Sequence, residues 1–276
     1  MRLSSFITVS TLTFAAALAA CSSAQRASLE TAAAKALVSD DEEKQLGLQV
    51  KQELEQQQHV KYLSDPAVNS YVQGVINRIL PSAKKDRPNQ NWELHVIDDM
   101  KTVNAFATPG GYIYVYSGLL AEAGNEAELA GVLSHESGHV VARHSARQMV
   151  DAYGLEAVLG LALGKNPGLV QQLATGVAAK GAMLANSRSD ETEADEYGAR
   201  YASAAGYDPH GLVTFFQKLL KQQGSESKLL TFLSDHPATS DRIQHIEAFI
   251  RENHLSGSDL GAERLAPIKQ RLSPHQ

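Results

Sequence analysis

The stretch HESGHVVARH, residues 135–144, limits what this chain can fold into more than any other. It sets His135 and His139 four residues apart, with Glu136 between them, and only a helix makes that spacing useful. On a helix, positions four apart project about 40° from one another, so the two imidazoles stand side by side and can share one tetrahedral zinc ion. Glu136 falls on the adjoining side, placed to handle the proton of a water activated there. The same helix must be buried. With Leu129 at zero, Val132, Leu133 and Val140 lie at about 300°, 40° and 20°, and Glu136 lies at about 340°, inside the apolar arc. A carboxylate buried there needs a positive partner or a chemical task, and Arg143, near 320°, is the partner the wheel offers.

Two histidines do not close a site. His144 is no third ligand, because the pattern HExxHxxGxxH needs that histidine ten residues after the first, past a glycine. Here the offset is nine and Ala142 occupies the glycine position. If the helix continues to about Val150, His144 lies about 140° around from His139 and points elsewhere, as a structural hydrogen-bonding histidine. The third ligand must come from another segment, and SRSDETEADEYG at residues 187–198 offers Glu191 and Asp195 at helical spacing. Glu191 then binds zinc, and Asp195 accepts the free N–H of a zinc histidine. The alternative is a solvated acidic face, to which Glu193 and Glu196 also belong.

The flanking segments read mostly as helices. Expected are a charged helix about Asp41–Gln57 and a second started by Ser64-Asp65-Pro66, running over Val68–Leu80 before a polar loop at Pro81–Asn91. Trp92–Asp98 and Tyr112–Tyr116 read as short strands, the latter entered through Pro109-Gly110-Gly111. Asn125 can cap the HExxH helix, with Glu128 as capping-box partner. Ala152–Gly164 is apolar, but Lys165 and Pro167 end it too soon for a membrane span, so it reads as a buried or interfacial helix. Further helices are expected at Asp190–Ala204, Pro209–Gln222 and Ser240–Asn253. The fold class is mainly α with a small β-sheet. A net charge of −6 without a basic stripe argues against nucleic acid as a partner.

The amino terminus reads as a targeting segment. Arg2 precedes the apolar run Phe6–Ala20, which ends in Leu18-Ala19-Ala20-Cys21, similar to the lipobox of bacterial lipoproteins. Cys21 is the single cysteine and stands where the lipid would be attached, which excludes an intrachain disulfide and thiolate metal sites. Ser22 is the residue that outer-membrane sorting implies. An ordinary signal peptide with Cys21 incidental is the alternative.

Together these motifs resemble the HtpX and CAAX-prenyl-protease family of zinc metallopeptidases (metallopeptidase family 48), especially its bacterial periplasmic and lipoprotein members. The matching residues are Asn104–Gly111, Tyr112–Leu119, Glu128–His144, Ser187-Arg188, Glu191–Asp195, Gly198, Asp235-His236-Pro237 and Arg242-Ile243, spanning roughly 41–252. The resemblance implies a gluzincin fold whose sheet edge receives an extended substrate. By position, Tyr112, Ile113 and Tyr114 would lie on that edge strand. It also implies that His236 and Arg242 lie by the cleft, where the histidine stabilises the oxyanion or binds zinc as a fourth, silencing ligand. Alternatively, His236 merely caps the following helix. No long hydrophobic spans accompany the motifs, so CAAX processing is not implied.

The expected organisation is a lipoprotein signal peptide at 1–20, a lipidated cysteine and flexible tether at 21–40, a zinc metallopeptidase domain at 41–255 and a short helical tail at 256–276. The expected activity is that of a metalloendopeptidase anchored by its lipid to the outer membrane and facing the periplasm. One zinc ion is held by His135, His139 and Glu191, Glu136 is the base, and Arg242 or His236 stabilises the oxyanion. Its substrates are misfolded or stalled polypeptides of the cell envelope, making it a protein quality-control enzyme. The competing class is an envelope chaperone or assembly factor whose zinc site His236 holds closed.

Overall fold

A computed structural model describes residues 38–180, 184, 186–222, 230–237 and 239–272. The expected signal peptide, Cys21 and nearly all of the expected tether lie outside the described residues. Among those residues the helices are α1 (Asp40–Gln56), α2 (Pro66–Asp86), α3 (Ser117–Glu122), α4 (Glu126–Ala142), α5 (His144–Tyr153), α6 (Leu155–Ala162) and α7 (Pro167–Lys180). They continue with α8 (Arg188–Ala204), α9 (Gly211–Gln222), α10 (Leu230–Asp235), α11 (Ser240–Glu252) and α12 (Ala262–Leu272). The strands are β1 (Glu93–Ile97), β2 (Ala105–Thr108) and β3 (Tyr112–Tyr116). The architecture is mainly helical with one small sheet.

Helix α4 is the axis of the fold, and every one of its residues is buried. A helix enclosed on all sides needs no polar face, which suits the run Leu129–Leu133. Asn125 caps it, its Oδ1 accepting from the Glu128 amide at 2.9 Å. The Glu128 carboxylate reaches one residue further back than a capping box requires, to the Gly124 amide at 2.8 Å. Helix α8 lies directly against α4, and two glycines set how close. A Cβ on Gly138 would stand 2.8 Å from the Tyr197 Cβ, and one on Gly198 would stand 3.3 Å from the His135 backbone. That close crossing carries Glu191 and Asp195 to the two histidines of α4.

The sheet is ordered β1-β3-β2, with β1 parallel and β2 antiparallel to β3. Tyr112–Tyr116 is therefore the central strand, and Tyr112, Ile113 and Tyr114 cannot receive a substrate strand as expected, because β1 and β2 already occupy both of its sides. The sequence YIYVY explains the placement. Ile113 and Val115 enter the main core with α2 and α4, while Tyr112, Tyr114 and Tyr116 enter a second core beneath α1, α6 and α7. A strand with two apolar faces belongs inside a sheet. The edge beside α4 is β2. The Tyr116 amide donates to the Asn104 carbonyl at 3.0 Å, so the antiparallel alternation turns the main-chain groups of Ala105 and Ala107 away from β3.

Two helix boundaries depart from expectation. Helix α2 runs through Pro81 to Asp86 rather than stopping at Leu80. Pro81 is exposed, so the carbonyl it orphans can turn to water, while Ile79 and Ala83 are fully buried and hold the next turn on the core. The HExxH helix does not reach Val150. It ends at Ala142, and Arg143 turns the chain with φ 62° and ψ 33° into α5. A non-glycine residue in that left-handed region costs about 1 kcal/mol. The cost is offset by burial of its guanidinium on Glu43 and the Val38 carbonyl, and by its amide bonding to the carbonyls of His139 and Val140. Arg143 thus pairs with Glu43, not with Glu136 as the helical wheel suggested. The apolar segment Ala152–Gly164 folds around the short helix α6, and no helix among the described residues is long and apolar enough to cross a membrane.

Candidate metal centre and active site

Four buried side chains converge beneath the outer edge of β2. His135 and His139 stand one turn apart on α4 with their Nε2 atoms 3.0 Å apart. Glu191, from the first turn of α8, brings Oε2 to 3.5 Å from His135 Nε2 and Oε1 to 3.4 Å from His139 Nε2. His236, just past α10, places Nδ1 3.2 Å from His135 Nε2 and 3.2 Å from both Glu191 oxygens. One donor atom from each of the four lies within 4.8 Å of the others. His236 does not cap the following helix, because Thr239 is the N-cap of α11 and accepts from the Arg242 amide.

A second ring of residues holds these four. Asp195 Oδ1 lies 3.0 Å behind His135 Nδ1. Arg242 grips Asp195 with Nε and Nη2 at 2.8 and 2.7 Å, and reaches Glu191 Oε2 with Nη1 at 2.9 Å. Its Nη1 also donates to the Pro237 carbonyl at 2.9 Å. The expected oxyanion role for Arg242 does not fit this geometry. Its guanidinium is buried and committed to two carboxylates and a carbonyl, leaving it no free fork to turn on a substrate. Asn186 donates to Glu191 Oε1 at 2.7 Å and accepts from Gln148 at 2.6 Å. Asn104 donates to Asp235 at 2.8 Å, fixing the turn that carries His236 to the start of β2.

His144 is brought in where sequence reasoning pointed it away. The break at Arg143 rotates α5 so that His144 Nδ1 meets His139 Nδ1 at 2.7 Å. Asn186 and Asn104 were likewise missed as partners of the cluster. Asn104 opens one matching motif and Asn186 adjoins another, but a single asparagine in a loop carries no spacing that names its distant acceptor.

The charges follow from this packing. Burial alone would raise Glu191, but His236, His135 and His139 around it outweigh that and hold its carboxyl well below the usual range. Burial likewise pushes the His135 imidazolium down, yet Asp195 and Glu191 overcome it and lift His135 to about 9. His139, with weaker compensation, is pushed well below 6.5 by burial. Glu136 is raised by burial, against the pull of His236 and His135. Its Oε1 has no hydrogen-bond partner, and the nearest cationic group is His236 Nε2 at 3.4 Å. A carboxylate that is buried, has an oxygen without a hydrogen bond and holds its proton more tightly than usual is suited to accept and return a proton.

These residues fit a divalent cation. Nitrogen and carboxylate atoms of four buried side chains crowd together so closely that without a metal the raised histidines hold extra protons there, and a cation shared among them would take the place of those protons. Imidazole nitrogens with one carboxylate form the donor set of a catalytic zinc site. A small cavity lined by Phe106, Ala107, Glu136, His139, Asn186 and His236 opens beside the cluster at the β2 edge.

Comparison with known proteins agrees with this geometry. The model of peptidase family M48 matches residues 66–250. The chain is 38% identical over 182 residues to the mitochondrial metalloendopeptidase OMA1 of Schizosaccharomyces pombe, a match covering 66% of this chain and 53% of that protein. It is 38% identical over 151 residues to the metalloprotease LoiP of Escherichia coli, covering 53% of this chain and 58% of LoiP. Over 190 residues it is 28% identical to the beta-barrel assembly-enhancing protease of the same organism, covering 66% of this chain and 38% of that protein. The chain spans about half the length of the curated relatives it matches.

Proposed function

The chain belongs to peptidase family M48, and on that premise we propose that it is a zinc-dependent metalloendopeptidase. The observation that carries the reading is the convergence of His135, His139 and Glu191 on one point with the buried carboxyl of Glu136, whose Oε1 accepts no hydrogen bond, beside it. Those three side chains would hold one zinc ion, which supplies a Lewis acid that acidifies water and polarises the scissile carbonyl. An extended polypeptide adds along the outer edge of β2, its main chain bonding to that of Ala107, which lines the cavity, in place of the long contact from Ser145 Oγ. Glu136 takes a proton from the attacking water and returns it to the leaving amine, for which its raised affinity for a proton suits it. Asp195 and Arg242 are positioning residues, the first behind His135 and the second clamping Glu191 and Asp195 together. His236 Nε2 faces the Glu136 carboxyl and is the side chain placed to donate to a developing oxyanion.

His236 also supports a regulated form of this activity. Its Nδ1 stands among the ligand atoms, so it can serve as a fourth protein donor that closes the site to water. The substrates are misfolded or stalled polypeptides of the bacterial cell envelope, with the chain held to the outer membrane through a lipid on Cys21 and facing the periplasm. The lipobox-like Leu18–Cys21 and the bacterial relatives LoiP and beta-barrel assembly-enhancing protease support that setting.

The deciding experiment is Glu136→Gln in the full chain, with zinc content and casein cleavage measured together. Zinc should be retained and cleavage should fall about 10²–10⁴-fold; undiminished cleavage sinks the assignment. Loss of zinc from the wild type, with no variant cleaving, favours an envelope chaperone instead. His236→Ala separates two roles for that residue, since cleavage rises if it silences the site and falls if it stabilises the oxyanion.

A further inference from the structure

The two ligand histidines are backed in different ways. Behind His135 stands a carboxylate, Asp195 Oδ1, at 3.0 Å from Nδ1. Behind His139 stands a second imidazole, the fully buried His144, with the two Nδ1 atoms 2.7 Å apart and the rings nearly perpendicular at 72°. At that separation one nitrogen must carry the proton and the other must offer a lone pair. The far side of His144 decides which. Its Nε2 lies 3.2 Å from Glu193 Oε2 and 3.8 Å from Asp190 Oδ1, so its own proton belongs on Nε2, facing carboxylates. That leaves Nδ1 of His144 as an acceptor and places the proton of His139 on Nδ1. The Nε2 of His139 is then a lone pair, and it is this atom that meets His135 Nε2 and Glu191.

We propose that His144 is a positioning residue that holds the His139 proton on Nδ1, anchored by Glu193, and so keeps the Nε2 lone pair of His139 turned toward the metal. Its role rests on the metal-site reading above. The device depends on the backbone. Arg143 in the left-handed region is what turns His144 back onto His139, and an uninterrupted helix would carry it away. His139 thus receives through an imidazole relay what His135 receives directly: a fixed tautomer, a fixed ring plane and a more basic donor atom.

The test uses the full chain as wild type, His144→Leu, His144→Asn and Glu193→Ala, with two readouts. One is the ring-nitrogen protonation of His139 by ¹⁵N NMR on metal-free protein. The other is zinc affinity by chelator competition. In the wild type His139 should carry its proton on Nδ1. His144→Leu should mix the two tautomers and weaken zinc binding about 10–100-fold. His144→Asn, whose amide oxygen can accept the same proton, should restore most of both. Glu193→Ala, which removes a half-exposed anchor, should give a smaller loss in the same direction. A wild-type His139 protonated on Nε2, or a His144→Leu that binds zinc as tightly as wild type, overturns the proposal. If His144→Leu does not fold, Glu193→Ala decides alone, and unchanged tautomer and affinity overturn it. Failure of the wild type to bind zinc counts against the metal reading instead, while the tautomer readout still decides the placement of the proton.

Discussion

Helix α4 has an ionic cluster at each end, each gathered on a buried carboxylate, and the two are built on opposite rules. At its amino end Glu126 accepts from Tyr207 at 2.8 Å, from Arg264 Nε at 2.9 Å and Nη2 at 2.8 Å, and from Arg78 at 3.2 Å. Asp259 joins the same two arginines. Donors match acceptors, and the cluster ties α2, α4 and α12 together. In the other half of the helix, groups that could ligate a metal crowd together instead of pairing off. His135, His139 and His236 turn nitrogens toward each other and toward Glu191, while Arg242 and Asn186 serve only the outer side of that carboxylate. A buried polar group that is satisfied reads as structure, and several that share one unmet need read as a site.

Breaking the two clusters should therefore give different failures. Glu191→Ala should abolish cleavage and zinc retention, and with them the stabilisation a bound metal gives, about 2.7 kcal/mol at a free concentration 100 times the dissociation constant. Thermal melts with and without zinc would detect this as loss of the metal-dependent shift. Glu126→Ala should do the reverse: stability falls by about 2 kcal/mol, the partial exposure of Arg264 and Arg78 moderating the loss, while zinc binding persists. Denaturant unfolding in parallel with metal analysis distinguishes the pair. A Glu126→Ala protein that loses zinc while folded would refute the contrast.

The two ends should also answer pH in opposite directions. In metal-free protein the proton on His135, whose folded value is raised to about 9 from 6.5, contributes stability fully present below 6.5 and lost as pH rises through 9. That proton competes with a cation, so zinc affinity should climb over the same window. Burial would raise Glu126, but Arg264 and Tyr207 outweigh it and hold its carboxyl below 4.5. Its contribution is present above 4.5 and is lost as pH falls through the lower folded value. Unfolding measured across both windows, with chelator present, would show one loss on the alkaline side and one on the acid side. The smallest effect expected is from Asn186→Ala, which removes one donor to Glu191 and should weaken zinc a few-fold, on the scale of a single hydrogen bond to a charged group.

Much of the site was legible because helical spacing is local. His135 with His139, and Glu191 with Asp195, each lie four residues apart on one helix, and no tertiary information is needed to place each pair on one face. The helices and strands around them were legible from caps, prolines and alternation. Pro81 was misread because a proline signals a stop, whereas burial of Ala83 in the turn beyond it held the helix together. The strand order was not legible either. YIYVY announces a strand with two usable faces, but only the pairing of β1 and β2 with it makes it the central strand and leaves Ala105–Thr108 as the outer strand that lines the site.

The sequence by itself determined which side chains could gather as metal ligands, and that the helix bearing two of them is buried. Tertiary structure alone decided the partners. Arg143 carries no glycine-like signal, yet its burial on Glu43 stabilises a left-handed turn that brings His144 against His139. Arg242 lies 47 residues from Asp195, and only the packing of α11 against α8 commits its guanidinium there. Local geometry is written in residue spacing, whereas a contact between distant segments exists only once the core that brings them together has formed.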